Sequence, residues 1–380
     1  MSNPNRIWVT LITGFLGSGK TTLLNTLLKH PEMNQAAVIV NEFGEIGLDY
    51  DLVERSDENV VQLANGCLCC SVKGDLIDTF RDLYIQRNAG TIPYFDRVVI
   101  ETTGIADPAP VLQIIFTNPM IMNHYTLDGV VTTVDAINGV SSLSRFPECV
   151  KQAAIADRLI ITKSDLVEDE DHDAKIEDLS ERLRALNPAA PIVVRTAGEV
   201  DPDDLFGTGM FDPKTKQVDF DSWVDPANYA VEANDNPFDA EAELSEEALA
   251  YYKEHGHTPD EEHHHHHDQS IKTFCVVRDE PMSLDMLRMF LEGLTNEAGP
   301  DLLRVKGIIN IEDEPDRPAV IQGAQQIFHS LEFMDKWPSD DRRTRIVFIT
   351  RDIEQTYIED TLALIERVAQ RTVAAGAGLV

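Results

Sequence analysis

Apolar residues along the first two hundred positions recur at two spacings. Ile7, Val9, Leu11 and Ile12 interleave with threonine, the mark of a half-buried strand, whereas Leu23, Leu24, Leu27 and Leu28 recur at helical spacing. Further strand-like runs fall at Ala36 to Asn41, Asn59 to Ala64, Arg97 to Glu101, Gly129 to Asp135, Arg158 to Thr162 and Pro191 to Arg195, with helical patterns between most of them. Val98-Val99-Ile100 and Leu159-Ile160-Ile161 are apolar on both faces, as strands covered from both sides must be. The pattern predicts an α/β fold on a doubly wound, mainly parallel sheet. In such sheets ligands gather beyond the carboxyl ends of the strands, and Glu42, Glu101, Asp135 and Asp165 each close or follow one of these runs.

The pattern changes after about Phe206. From Glu232 to Asp268 the chain carries twelve carboxylates and one lysine, then His255, His257 and His263 to His267. Residues 207–268 read as an acidic, His-bearing linker with one short helix at Ala240 to Tyr252. Regular periodicity resumes as strand (Ile271 to Arg278), helix (Leu284 to Thr295), strands (Leu302 to Ile311, Ala319 to His329, Arg345 to Thr350) and helix (Ile353 to Val368). That order predicts a small α+β domain over 269–372 with its helices on one sheet face, followed by a frayed tail at 373–380.

Composition narrows the function classes. The 380 residues suffice for two domains, and 43% hydrophobic content suits a chain with real cores. A formal charge of −34 opposes binding to nucleic acid or to an anionic membrane surface. The chain opens without a secretory signal pattern and holds no apolar run long enough to span a membrane, so the expected location is cytoplasmic. Five cysteines, three of them crowded together, make no plausible disulfide framework.

The strongest chemical signal is Gly14-Phe15-Leu16-Gly17-Ser18-Gly19-Lys20-Thr21-Thr22, which satisfies G-x-x-x-x-G-K-[ST] between a strand and a helix. Gly14, Gly17, Ser18 and Gly19 are placed to turn backbone N–H groups around a polyphosphate. Lys20 would reach the β- and γ-phosphates, Thr21 would sit on Mg²⁺, and Thr22 extends the cradle. Lys163 and Asp165 follow a buried-looking strand in T-K-S-D, where a guanine-reading N-K-x-D would lie. A carboxylate there accepts from two donors of guanine that adenine lacks, which favours GTP. Thr162 stands where that motif has asparagine, which bears on how the loop is positioned. Glu101-Thr102-Thr103-Gly104 suits Mg²⁺ or water handling by Glu101 and γ-phosphate contact by the Gly104 N–H, and Glu42 holds a similar place after its own strand. Cys67, Cys69 and Cys70 form the second strong signal. Three thiolates suit Zn²⁺, Co²⁺ or Cu⁺ and leave one position for Glu42, Glu45, His124, water or a client's ligand. Cys149 and Cys275 stand alone and read as packing residues.

Together, GFLGSGKTT, NEFGEIGLD, GCLCC, ETTGIADP and TKSD make the chain resemble the CobW-like family of metal-trafficking P-loop GTPases. The resemblance implies a P-loop GTPase domain over 1–206, a family insert, and a CobW C-terminal domain. It implies GTP hydrolysis with Mg²⁺, coupled to delivery of a metal carried by Cys67, Cys69 and Cys70 to a client protein. Family cargoes include zinc, and cobalt on the way to cobalamin. A rival reading is a non-catalytic metal buffer or sensor with a structural nucleotide, separable by metal- or client-dependent GTP turnover. An ATP-dependent kinase fits poorly, because no acceptor site is visible and Asp165 points to guanine.

Overall fold

The computed structural model describes residues 6–42, 61–66, 72–168, 172–196, 201–202, 205–206, 224–229, 271–328 and 331–377. The cysteine triplet, the acidic linker apart from 224–229, its expected helix, and the histidine tract lie outside these residues. Seven strands form the first sheet: β1 (Ile7–Gly14), β2 (Ala36–Glu42), β3 (Val61–Gly66), β4 (Arg97–Glu101), β5 (Tyr125–Asp135), β6 (Arg158–Thr162) and β7 (Ile192–Val194). Their order is β3-β2-β4-β1-β5-β6-β7, and every pairing is parallel. The chain leaves β1 toward one edge and, after β4, builds toward the other, so the carboxyl end of β1 is the topological switch point at which such sheets bind ligands.

Helices cover both faces, as the apolar runs require. Helix α1 (Lys20–Leu28) lays Leu23, Leu24, Leu27 and Leu28 against Ile12, Val38, Val99, Val131 and Ile160. On the opposite face, α2 (Val72–Ala89), α3 (Ala109–Thr117) and α4 (Pro119–His124) cover Val9, Leu11, Ile39, Val98 and Ile100. Helices α5 (Gly139–Arg145), α6 (Pro147–Ile155) and α7 (His172–Leu186) pack around β5 and β6. Strand β5 starts four residues before the expected Gly129. Its early part hides a buried carboxylate, Asp128, which accepts from Arg97 Nη1 at 2.5 Å and so is tolerated inside a strand.

The second sheet is antiparallel, with β8 (Ile271–Arg278), β9 (Leu302–Ile309), β10 (Ala319–Ala324), β11 (Ile327–Phe328), β12 (Glu332–Phe333) and β13 (Thr344–Arg351). Its order is β11-β10-β9-β13-β8, with β12 paired to β10. Helices α8 (Leu284–Ala298) and α9 (Gln355–Ala377) cover one face through Met286, Leu287, Phe290, Leu294, Ile358 and Leu362. Ser283 caps α8 by accepting from the Met286 N–H.

Two expectations are corrected here. The single strand expected from Ala319 to His329 is a hairpin, broken at Gln325, which adopts a left-handed φ of 53°. The tail expected to fray from 373 continues α9 to Ala377, because its alanines are strong helix formers and nothing before Gly376 interrupts them.

The other face of the second sheet meets the first domain. Leu303 and Ile349 enter the core around α6 and α7, and Thr273 Oγ1 donates to the Leu186 carbonyl at 3.0 Å.

Candidate functional site

Three glycines shape the turn after β1. Gly14 has φ 141°, and a Cβ there would collide with the carbonyl and hydroxyl oxygens of Thr133 on β5, so only glycine lets the loop approach. Gly17 and Gly19 have φ of 73° and 86°, with Gly19 capping α1 in the left-handed region. Ser18 Oγ shares a 2.7 Å hydrogen bond with Thr133 Oγ1. Lys20 is buried at 8% exposure, and its ammonium curls back to donate to the Gly14 and Phe15 carbonyls at 2.8 and 2.9 Å. It therefore lies inside the loop and not out in solvent. Thr22 is exposed one residue after Thr21.

Neighbouring strands bring the remaining groups to this edge. Thr21 Oγ1 donates to Glu101 Oε1 at 2.6 Å, joining residues eighty positions apart, and Glu101 is itself buried. A hydroxyl and a carboxylate in contact form a hard-oxygen pair of the kind Mg²⁺ accepts while keeping several waters, so the residues present fit that ion. Gly104 sits against the loop, where a Cβ would lie 2.6 Å from the Leu16 nitrogen. The Gly104 and Ala106 carbonyls both accept from Gln152 Nε2, at 3.1 and 3.0 Å. Asp107 continues this segment, its Oδ1 accepting from the Ala109 N–H at 2.9 Å and its Oδ2 from Gln325 Nε2 of the second sheet's hairpin at 3.0 Å.

On the other flank, Lys163 follows β6 with a left-handed φ of 59° and donates to Asp135 Oδ2 at 2.7 Å. Asp165 is exposed in the short 3-10 turn Ser164–Leu166. Glu42 closes β2, and the strand register sets its backbone opposite Gly66, the residue before Cys67. The segment bearing Cys67, Cys69 and Cys70 therefore starts from the same sheet edge as the phosphate loop, although the cysteines themselves lie outside the described residues. His124 precedes β5 at the amino edge of the sheet, with its ring stacked on Tyr84 at 3.9 Å. Among the described residues no cluster of three His, Cys, Asp or Glu side chains suits a metal.

Thr133, Gln152 and Gln325 are site-supporting residues that sequence reasoning missed. Each is an isolated polar residue with no motif around it, and only the strand order brings it to the loop.

Comparison with known proteins follows this geometry closely. The family described as CobW/HypB/UreG, nucleotide-binding domain matches residues 8–194, and the one described as Cobalamin synthesis protein cobW C-terminal domain matches residues 271–365. Zinc chaperone YjiA of Escherichia coli is 32% identical over 359 residues, covering 94% of this chain and 98% of that protein. The chain belongs to the CobW family. Another family relative, zinc-regulated GTPase metalloprotein activator 1 of Schizosaccharomyces pombe, is 28% identical, covering 91% of this chain and 83% of its own. The crystal structure of zinc-bound YjiA GTPase from E. coli superposes with a TM-score of 0.63 at 27% identity, covering 95% of this chain and 99% of that one. Both sheets therefore have their counterpart in one family architecture. No helix among the described residues is long and apolar enough to cross a membrane.

Proposed function

We propose that this CobW-family protein hydrolyses GTP and uses the cycle to load zinc held by Cys67, Cys69 and Cys70 into a client metalloprotein. The observation that carries the reading is the shared edge. The Thr21–Glu101 contact of 2.6 Å and the pairing of Glu42 with Gly66 put the nucleotide-handling residues and the root of the cysteine segment at the carboxyl ends of adjacent strands. Relatives that carry the names zinc chaperone and zinc-regulated GTPase support zinc as cargo over cobalt.

Lys20, at the inner wall of the loop, offers its ammonium to the β- and γ-phosphates. Thr21 and Glu101, with Glu42, would hold Mg²⁺, which would supply positive charge against the charge building on the transferring phosphoryl group. Glu101 also orients the attacking water, and the Gly104 N–H meets the γ-phosphate. Departure of that phosphate releases Glu42 and the 101–107 segment, and the cysteines lie between these two in the sequence, so hydrolysis loosens the thiolate cage. Lys163 and Asp165 select guanine.

The test is anaerobic zinc titration of the full chain with and without Mg²⁺–GTP, beside a variant with all three cysteines changed to serine. The parent should show one tight site that tightens further with Mg²⁺–GTP and accelerates turnover; the variant should lose both. A zinc-bound YjiA with one glutamate and two cysteines replaced by alanine has also been solved, so the readout must be the tight site and not total zinc. Tight zinc binding with no GTP turnover under any condition would leave a metal buffer with a structural nucleotide.

A further inference from the structure

Ser18, in the middle of the phosphate loop, is gripped by threonines from two strands. Its hydroxyl meets Thr133, and its carbonyl accepts from Thr162 Oγ1 at 2.7 Å. Thr162 is 8% exposed and ends β6, so the residue after it opens the turn that carries Asp165. Gly19 passes so near that a Cβ there would lie 3.4 Å from the same hydroxyl. The turn is also held from its other side. Asp135 Oδ2 accepts from Lys163 Nζ at 2.7 Å, while Oδ1 accepts from the N–H groups of Ile137 and Asn138 at 2.7 and 3.2 Å, which fixes that carboxylate to the end of β5.

We propose that Thr162 and Asp135 are positioning residues for base selection, Thr162 tying the base-reading turn to the phosphate loop and Asp135 locking its lysine. The proposal rests on the reading of Lys163 and Asp165 as the guanine-selecting pair. In N-K-x-D an asparagine stands at this place; here a single hydroxyl makes the connection. It has one proton, and the 2.7 Å bond to Ser18 takes it in preference to the Val134 carbonyl at 3.3 Å. A nucleotide has its phosphates on the loop and its base on the turn, so this bond sets the distance between the two ends of the ligand. Discrimination follows from that distance. Guanine loses paired donors when the Asp165 carboxylate wanders, whereas adenine has none there to lose. Without the hydroxyl, the buried Ser18 carbonyl also loses its donor.

The experiment measures GDP and ADP affinity calorimetrically for the full-length parent, Thr162→Val, Thr162→Ser and Asp135→Asn, with melting temperatures alongside. Thr162→Val should weaken GDP by about tenfold or more and ADP by less, so that the GDP:ADP preference narrows. Thr162→Ser should restore both values. Asp135→Asn should narrow the preference through Lys163. A preference unchanged in Thr162→Val and in Asp135→Asn overturns the proposal, even if both affinities fall together, because Thr162 would then support only the phosphate loop. Should Thr162→Val fail to fold, the other two variants decide: a parent-like serine variant with a narrowed asparagine variant supports the tether, and an unaltered asparagine variant refutes it. A parent that binds GDP and ADP equally refutes the guanine reading itself, a different failure from a selective parent whose variants stay selective.

Discussion

Substitutions at Lys20 and Glu101 should separate binding from chemistry at the level of single side chains. Lys20 already points inward, so Lys20→Ala removes a charge aimed at the phosphates and should lower GTP turnover by about 10²–10³-fold or more, with the fold intact by circular dichroism. Glu101→Gln keeps the shape and a hydrogen-bonding partner for Thr21 but loses the anion. Nucleotide should still bind, measured with a fluorescent GTP analogue, while Mg²⁺-dependent turnover falls. The two isolated cysteines give a contrasting case. Cys149 is buried in the core around α6, and burial pushes its thiol up to about 12; burial does the same to Cys275. Thiols with such values stay protonated at neutral pH and are poor zinc ligands. Cys149→Ser should therefore leave the tight zinc stoichiometry of the parent unchanged, a result opposite to that expected for Cys67, Cys69 and Cys70.

Among the elements, the loops that need glycine are the sensitive ones. At Gly104 an added Cβ meets backbone at Leu16, which cannot swing aside as a side chain would. Gly104→Ala should thus push the 101–107 segment off the phosphate loop and cut GTP turnover at least tenfold, while the melting temperature moves little because neither Gly104 nor Leu16 belongs to a hydrophobic core cluster. A parent-like rate would mean that this segment need not approach the loop. The same elements show what sequence can and cannot reveal. Strands β4 and β6 fall at their expected bounds because a run such as Val98-Val99-Ile100, apolar on both faces, has no other stable setting. Strand order is written in no local pattern. It depends on β4 inserting between β2 and β1, a matter of crossovers. The glycines and lysine of the phosphate loop were legible because phosphate binding demands them at fixed spacing. Gln152 was not, since one buried amide on a helix carries no signal until the strand order sets it under Gly104. Gln325 escapes for a related reason: a non-glycine residue at φ 53° looks in sequence like any other polar strand position, with Gln322 and Gln326 beside it.

At the scale of the whole molecule, the two sheets are joined through a charge cluster at the amino end of β6, the end away from the phosphate loop. Asp157 opens the approach to β6, five residues after Gln152, and is held by the second sheet: Arg304 Nη2 donates to its Oδ1 at 2.8 Å and Lys306 Nζ contacts the same oxygen. The Val130 N–H donates to its other oxygen at 2.9 Å. Arg304 and Lys306 are each 1% exposed, so one carboxylate faces two cations out of water, and Arg304 Nε and Nη1 find no hydrogen-bond partner among the described residues. Such a cluster is weak evidence for net stability when intact but costly to break, because removing the anion leaves uncompensated buried charge. Asp157→Asn should therefore destabilise the protein by about 3–5 kcal/mol. The first sheet and second sheet should then melt apart in calorimetry, where the parent should show one transition. The pH dependence gives an independent check. Burial raises the Asp157 carboxyl's pKa, but the Arg304 and Lys306 charges, the Lys306 hydrogen bond and the Val130 N–H outweigh it and hold the group below the ordinary carboxylate range. A carboxyl with a lowered folded pKa contributes stability that is fully present above its unfolded value, about 3.9, and is lost as pH falls through the folded value. The parent should accordingly lose stability on acidification below about pH 4, and Asp157→Asn should lack that component, so the two melting-temperature curves converge toward low pH. Parallel curves would show that Asp157 titrates alike folded and unfolded, and that the sheets are held together by the packing of Leu303 and Ile349 and by the Thr273–Leu186 and Gln325–Asp107 hydrogen bonds.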